Sequence, residues 1–251
     1  MIIEEEGPLP PDLFIERLKR EGSARYHDRH PFHVLMHEGR LTKRQLQRWV
    51  LNRYYYQTRI PMKDALILAK SEDATFRRAW IRRIHDHDGD GVHEGGLALW
   101  RRLAVAVGLD EDTVTSFRHV LPGVRLACDG YVAFVREASL VEAVASSLTE
   151  LFAPELMTRR VAAWEQHYPW VDREAMGYFR RRVTRASKDA GEALEFVVTH
   201  ATTPEQQHRC LEALVKKTDI LWHILDCLHA AYVVRNDHES HSRAESSQIV
   251  A

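Results

Sequence analysis

QLQRWVLNRYYYQTRIPMKDALILAK, residues 45–70, is one long run whose apolar and polar residues recur at steps of three and four. Leu46, Val50, Arg53, Gln57, Ile60, Asp64 and Ile67 fall on one helical face, so the run predicts a helix with one side turned to a core. Arg53, Gln57 and Asp64 share that stripe with four aliphatic residues, and each loses hydration on burial unless it gains a partner. Two readings stay open. The three polar residues can form a satisfied interhelical network, with Asp64 pairing Arg53 or Lys63, or they can wall a polar ligand site. Thr42 supplies the N-cap, and Pro61 predicts a kink near Gln57 because it lacks the N–H that would bond there.

Outward from this run the same spacing persists, and no convincing period-two strand appears. Residues 10–20 predict a short helix. Residues 26–36, rich in His and broken by Pro31, predict a loop with about one helical turn. Residues 73–84 form an amphipathic pattern with Phe76, Trp80 and Ile84 on one side. Gly89, Gly91, Gly95 and Gly96 mark a loop, after which helices are expected over 97–107, 110–117 and, as one or two pieces, 124–154. A bend at 167–170 precedes a helix opening at Asp172 and reaching about Thr199, and Pro204 starts the last, which runs to about Val234. From Asn236 the chain is polar and reads as a frayed tail. One all-α domain over 1–235 with a tail over 236–251 is the economical organisation.

Composition narrows the function. Among 251 residues, 35 Lys and Arg nearly cancel 36 Asp and Glu, so no overall field favours nucleic acid or a membrane surface. Three Cys without CxxC spacing argue against a disulfide framework. The first residues lack a basic-then-apolar signal pattern, and no run approaches the roughly 20 apolar residues of a membrane span. A soluble, cytoplasmic protein is expected.

The polar residues suggest an anion site more than a metal site. Asp86, Asp88, Asp90 and Gly91 begin a calcium-loop pattern, but the twelfth position, which needs a bidentate acid, is Leu97. Glu150 could serve a dinuclear iron bundle, but no acid precedes a His by three residues on the candidate helices, so no metal is assigned. Glu150 instead follows a small-residue face through Ala143, Ser146 and Ser147, continued by Ala153 and Met157. Lys217 interrupts the apolar seam Cys210, Leu214, Leu221, Ile224 and Leu228. Tyr178, Arg182 and Arg185 share one side of their helix, as a site wall or as part of a solvated basic face. With Arg53, these residues outline a helical protein with a cationic pocket for an acidic small molecule.

NRYYYQTRIPMKDA (52–65), RIHDHDG (83–89), RHVLPGVRLACDGYV (118–132), ASSLTELFAPEL (145–156), WEQHYPW (164–170), GYFRRR (177–182) and KKTDILWHILD (216–226) occur in that order. Together they resemble the pyrroloquinoline quinone synthases, over about residues 14–232. The resemblance implies a compact helical fold of the haem oxygenase type and a homodimer, with other quinone-biosynthesis proteins as candidate partners. It implies ring closure and oxidation of a bicyclic tricarboxylic precursor to the quinone. Dioxygen is the co-substrate and is reduced to hydrogen peroxide, with neither metal nor added cofactor, and the product is a candidate to stay bound. By position, Arg53, Arg160, Arg182 and Lys217 match cations of the substrate site, and Tyr26, His27, Gln57 and Tyr131 further contacts. His87 matches a general acid/base, Glu150 a site carboxylate, and Tyr178 and Arg182 the dioxygen pocket. The departure is Met157, where the family pattern has a His of that pocket, so the oxygen-dependent step is the one it touches.

Two other functions compete. A thiaminase-like hydrolase would need an activated Cys, and Cys128, Cys210 and Cys227 have no activating partner in sequence. A carrier for the quinone or its precursor would bind the ligand with oxidation impaired at Met157.

Overall fold

In the computed structural model, which describes residues 7–234 apart from the side chains of residues 186–188, regular structure is helical, with one isolated bridge between Gly89 and Glu94. The expected all-α class holds. The predicted tail over 236–251 lies outside the described residues.

The central run is α3, Lys43–Ala69. Thr42 Oγ accepts from the Gln45 N–H while the Gln45 side chain accepts from the Thr42 N–H, so two otherwise unpaired donors at the helix start are satisfied together. Pro61 removes only the bond to Gln57, and the helix continues through it. Leu46, Val50, Ile60 and Ile67 are buried as the stripe predicts. Around α3 pack α4 (Ala74–Asp88), α5 (Gly96–Ala106) and α7 (Pro122–Glu137). Opposite stand α9 (Ala153–His167), α10 (Gly177–His200) and α11 (Pro204–His229), the last opened by a second Thr–Gln capping box, Thr203 with Gln206. The shorter α1 (Pro11–Arg25), α2 (Pro31–His37), α6 (Glu111–Thr115) and α8 (Leu140–Ala145) complete the set in the numbering used below.

Several boundaries differ from expectation. Residues 31–37 form a helix of seven residues, longer than the one turn expected within a loop: Pro31 stands at its first turn, where a missing N–H is harmless, and the His30 ring accepts from the Phe32 N–H as the cap. The pattern over 124–154 divides into α7, α8 and a 3₁₀ segment, Ser146–Phe152, before α9 begins at Ala153. Asp172 opens only a turn, and α10 starts at Gly177. On α4 the buried face is Phe76, Trp80, Arg83 and His87, with Ile84 half-buried at its edge. That face turns charged toward its C-terminus.

The core has two lobes. One is aromatic: Trp49 lies 5.5 Å from Trp100 and 5.9 Å from Trp164, and Phe179 stands edge-on to Trp100 and Trp164. The other is built from Phe14, Leu18, Phe76, Trp80, Val144 and Leu148. The loop after α4 is held tightly against the end of that helix. Gly89 has φ +93°, and a Cβ on Gly95 would lie 2.2 Å from the His87 carbonyl, so only glycine lets the loop fold onto the helix end. His87 is thereby held in the interior.

Candidate active site

The polar half of the α3 stripe separates into two roles. Asp64 pairs with Lys63 at 2.7 Å, both buried, and accepts from the Trp80 indole at 3.0 Å. Lys63 also donates to Ser147 at 2.8 Å. The network reading therefore holds for Asp64. Arg53 and Gln57 instead face a cavity, and Arg53 stacks over Tyr56 at 4.0 Å.

Every residue that the resemblance placed in the site lines this one cavity. Tyr26 and His27 enter from the segment after α1, Tyr131 from α7, Tyr178 and Arg182 from α10 and Lys217 from α11. Ser147, Glu150 and Ala153 reach it by steps of three because the 3₁₀ segment has about three residues per turn. An α-helical face would have aimed them differently. Met157 and Arg160 follow on α9. Arg185 does not join them; it pairs with Asp86 outside the cavity. The open volume is about 70 Å³, room for a few waters, so a bicyclic ligand enters only if the lining side chains separate.

The charges are unequally paired. Glu150 accepts from Arg83 at 2.6 Å and lies 3.6 Å from Arg182, which is 3.8 Å from Asp189. Burial pushes the Glu150 carboxyl up, but Arg83, Arg182 and Lys63 outweigh it and hold the group at about 2. Arg53, Arg160 and Lys217 have no carboxylate within ion-pair distance among the described residues. Lys217 Nζ is buried without a hydrogen-bond partner, 3.3 Å from the Tyr131 ring centre, and burial, with Lys63 and Arg53 nearby, pulls its value well down. Burial and Arg53 likewise lower Arg160 to about 9, which leaves it charged at neutrality.

His87 is held in one tautomer. Its Nδ1 lies 3.1 Å from the Arg83 carbonyl, an acceptor only, so Nδ1 carries the proton and Nε2 is left with a free lone pair. Burial, then Arg182, lowers its pKa to about 4. Tyr178 donates to Gln57 at 2.8 Å, and the Tyr131 hydroxyl is 3.1 Å from that of Ser146. Met157 Sδ lies 4.0 Å from an Arg160 nitrogen, and His167 is not in the cavity but packs over Gly39. Arg83 was not identified from sequence, although its place four residues before His87 and three after Trp80 was the available signal.

A statistical model of the family described as TENA/THI-4/PQQC matches residues 16–227. The chain is 50% identical over 225 residues to a protein of Acidiphilium cryptum (strain JF-5) named pyrroloquinoline-quinone synthase, covering 90% of this chain and 92% of that one. A protein of the same name from Rhizobium meliloti (strain 1021) is 52% identical over 220 residues, 88% of this chain and 86% of the relative. Among solved structures, a Shewanella denitrificans protein described as having a heme oxygenase-like fold superposes with TM-score 0.74 at 14% identity, over 91% of this chain and 95% of that one. A TenA homolog from Pseudomonas syringae pv. tomato gives 0.71 at 16% identity, over 91% and 99%. At such identities these structures establish the fold alone, and it is the haem oxygenase-like one that the motifs implied.

The buried histidines give the site an acid limit. Burial lowers His27 and His33 well below 6.5, His37 to about 3 and His87 to about 4. Each folded-state value lies below the unfolded one, so below about pH 6.5 the unfolded chain binds more protons than the native one. The histidine contribution to stability is therefore whole above about pH 6.5 and is lost as pH falls toward 4; Glu150, held at about 2 in the folded chain, extends the loss below 4.5. Urea unfolding at pH 7, 5.5 and 4.5 should show this decline. His87→Gln should make it shallower by up to about 1.4 kcal/mol per pH unit, one proton's worth.

Proposed function

The chain belongs to the TENA/THI-4/PQQC family, and from that membership we propose that it catalyses the pyrroloquinoline-quinone synthase reaction. The observation that carries the reading is the set of three buried cations without a carboxylate, Arg53, Arg160 and Lys217, facing one cavity. A tricarboxylate supplies three anions. Each charge-assisted contact would restore to a buried cation the partner that desolvation has taken away.

In this reading the bicyclic tricarboxylic precursor is held by those three cations, with Tyr26, His27, Gln57 and Tyr131 shaping the cavity around it. His87 Nε2 takes a proton as the last ring closes and returns protons as dioxygen is reduced, each dioxygen taking two electrons and two protons to give hydrogen peroxide. Glu150, ionised, fixes Arg182 beside Tyr178, and this corner receives the reduced-oxygen anion. Dioxygen is the oxidant, and the protein's own residues supply the acid–base chemistry without an added cofactor. A cytoplasmic homodimer is the form proposed. The hydrolase reading is disfavoured because burial pushes the Cys128 and Cys210 thiols up to about 12, the reverse of activation.

Mixing the protein with precursor and following absorbance in air and under argon tests the reaction. Quinone should form in air, and under argon the spectrum should stop at a bound intermediate. A precursor-bound spectrum unchanged in air would instead make the protein a carrier.

Lys217→Met should weaken binding of pyrroloquinoline quinone by about 1.5–3 kcal/mol, the usual worth of a hydrogen bond to a charged group. Burial lowers the free Lys217 value and a bound carboxylate opposes that, so binding takes up protons wherever the working pH lies between the free and the bound values. Affinity of the unaltered protein should therefore fall as pH rises, and Lys217→Met should lose that part of the slope. Calorimetry in buffers of different ionisation enthalpy reads the proton uptake directly.

Met157 offers only a weak acceptor where an imidazole could both donate and accept. Met157→His should speed single-turnover oxidation in air while changing affinity by no more than a few-fold. Equal rates at every dioxygen concentration for the two proteins would make position 157 packing alone.

A further inference from the structure

His33 lies behind the cavity, not in its lining, and is 1% exposed. Its Nδ1 is 3.0 Å from the His27 carbonyl, which can only accept, so the proton sits on Nδ1. That leaves the Nε2 lone pair, 3.1 Å from an Arg160 guanidinium nitrogen, which can only donate. The two contacts agree on one tautomer. One neutral ring thus ties together two cavity residues, His27 through its backbone and Arg160 through its side chain, on segments far apart in sequence.

A buried arginine is ordinarily fixed by a carboxylate. Arg160 instead has the faces of Trp49 and Phe179, with its guanidinium carbon 5.0 and 5.6 Å from their centres, and His33 as its nitrogen acceptor. Arg160 Nε has no partner at all. An imidazole lone pair orients the guanidinium but leaves its charge uncompensated.

We propose that His33 is a positioning residue for ligand binding, holding Arg160 as an oriented but unneutralised cation for a carboxylate of the ligand. The proposal rests on the reading of Arg160 as a carboxylate contact. A carboxylate at position 33 would orient Arg160 equally well and satisfy it in advance, so the two demands separate there.

The test uses the full chain, with pyrroloquinoline quinone as the titrated ligand and four variants: His33→Gln, His33→Phe, His33→Glu and Arg160→Gln. Arg160→Gln should weaken binding about tenfold or more, as loss of a charged contact does. His33→Gln, which keeps a neutral acceptor, should bind within a few-fold of the unaltered chain. His33→Glu should bind about tenfold more weakly than His33→Gln while melting no lower, because its new ion pair competes with the ligand. At saturating precursor, the single-turnover rates of the His33 variants should stay within a few-fold of one another, which separates binding from chemistry. His33→Phe should be less stable, and if it fails to fold the Gln–Glu comparison still decides. Equal affinity of His33→Glu and His33→Gln, with Arg160→Gln impaired, would overturn the positioning role and leave the carboxylate contact standing. An unimpaired Arg160→Gln would overturn both.

Discussion

Burial of positive charge without a matching negative is the constraint around which this structure is arranged. The interior holds Arg53, Arg83, Arg160, Lys63 and Lys217, with Arg182 half-buried beside them and Asp64, Glu150 and Asp189 as carboxylate partners for only some of the six. Taking an ion out of water is expensive, and one left alone retains the full penalty. The fold meets this in two ways. Lys63, Arg83 and Arg182 are paired with carboxylates along one wall. Arg53, Arg160 and Lys217 are stacked against aromatic faces, where the attraction is weaker and the charge stays available.

This division explains the aromatic weight of the core. Trp49 and Phe179 do two jobs: their edges pack against Trp164, and their faces lie under Arg160. Tyr56 is shared in the same manner between Arg53 and Lys217. An aliphatic residue at any of these positions would fill the volume but remove a favourable contact from a buried cation. The neutral histidines belong to the same economy. An imidazole kept below its usual pKa accepts from an arginine without cancelling it, and a glutamate could not do so.

The chemistry of the site is correspondingly split between its ends. The Arg53, Arg160 and Lys217 side holds unmatched charge and suits an anionic ligand. The Glu150, Arg182, Tyr178 and His87 side pairs its charges and holds an imidazole with a defined tautomer and a free lone pair. Met157 stands near Arg160, where its thioether adds bulk and polarisability but no proton. In the proposed reaction a thioether at this position therefore bears on acid–base capacity and spares the charge balance.

How much of this was legible in the sequence can be traced residue by residue. The spacing of Leu46, Val50, Ile60 and Ile67 determined α3, because a helix repeats every 3.6 residues whatever surrounds it. Arg53 and Lys217 could be seen to interrupt apolar seams, which is a local property of the chain. The order of the motifs carried the family. Tertiary structure decided the rest. Whether Asp64 or Arg53 faced a ligand depended on Lys63, Trp80 and Ser147, the last two of which come from other elements. Arg83 was hidden because its partners, Glu150 and the backbone of Asp189, are 67 and 106 residues away. The 3₁₀ segment that aims Ser147 and Glu150 has small and apolar residues that would equally suit an α-helix, and only its packing against α10 and α11 distinguishes the two. Which cations remain unpaired is a sum over the whole interior, and no local window of sequence contains that sum.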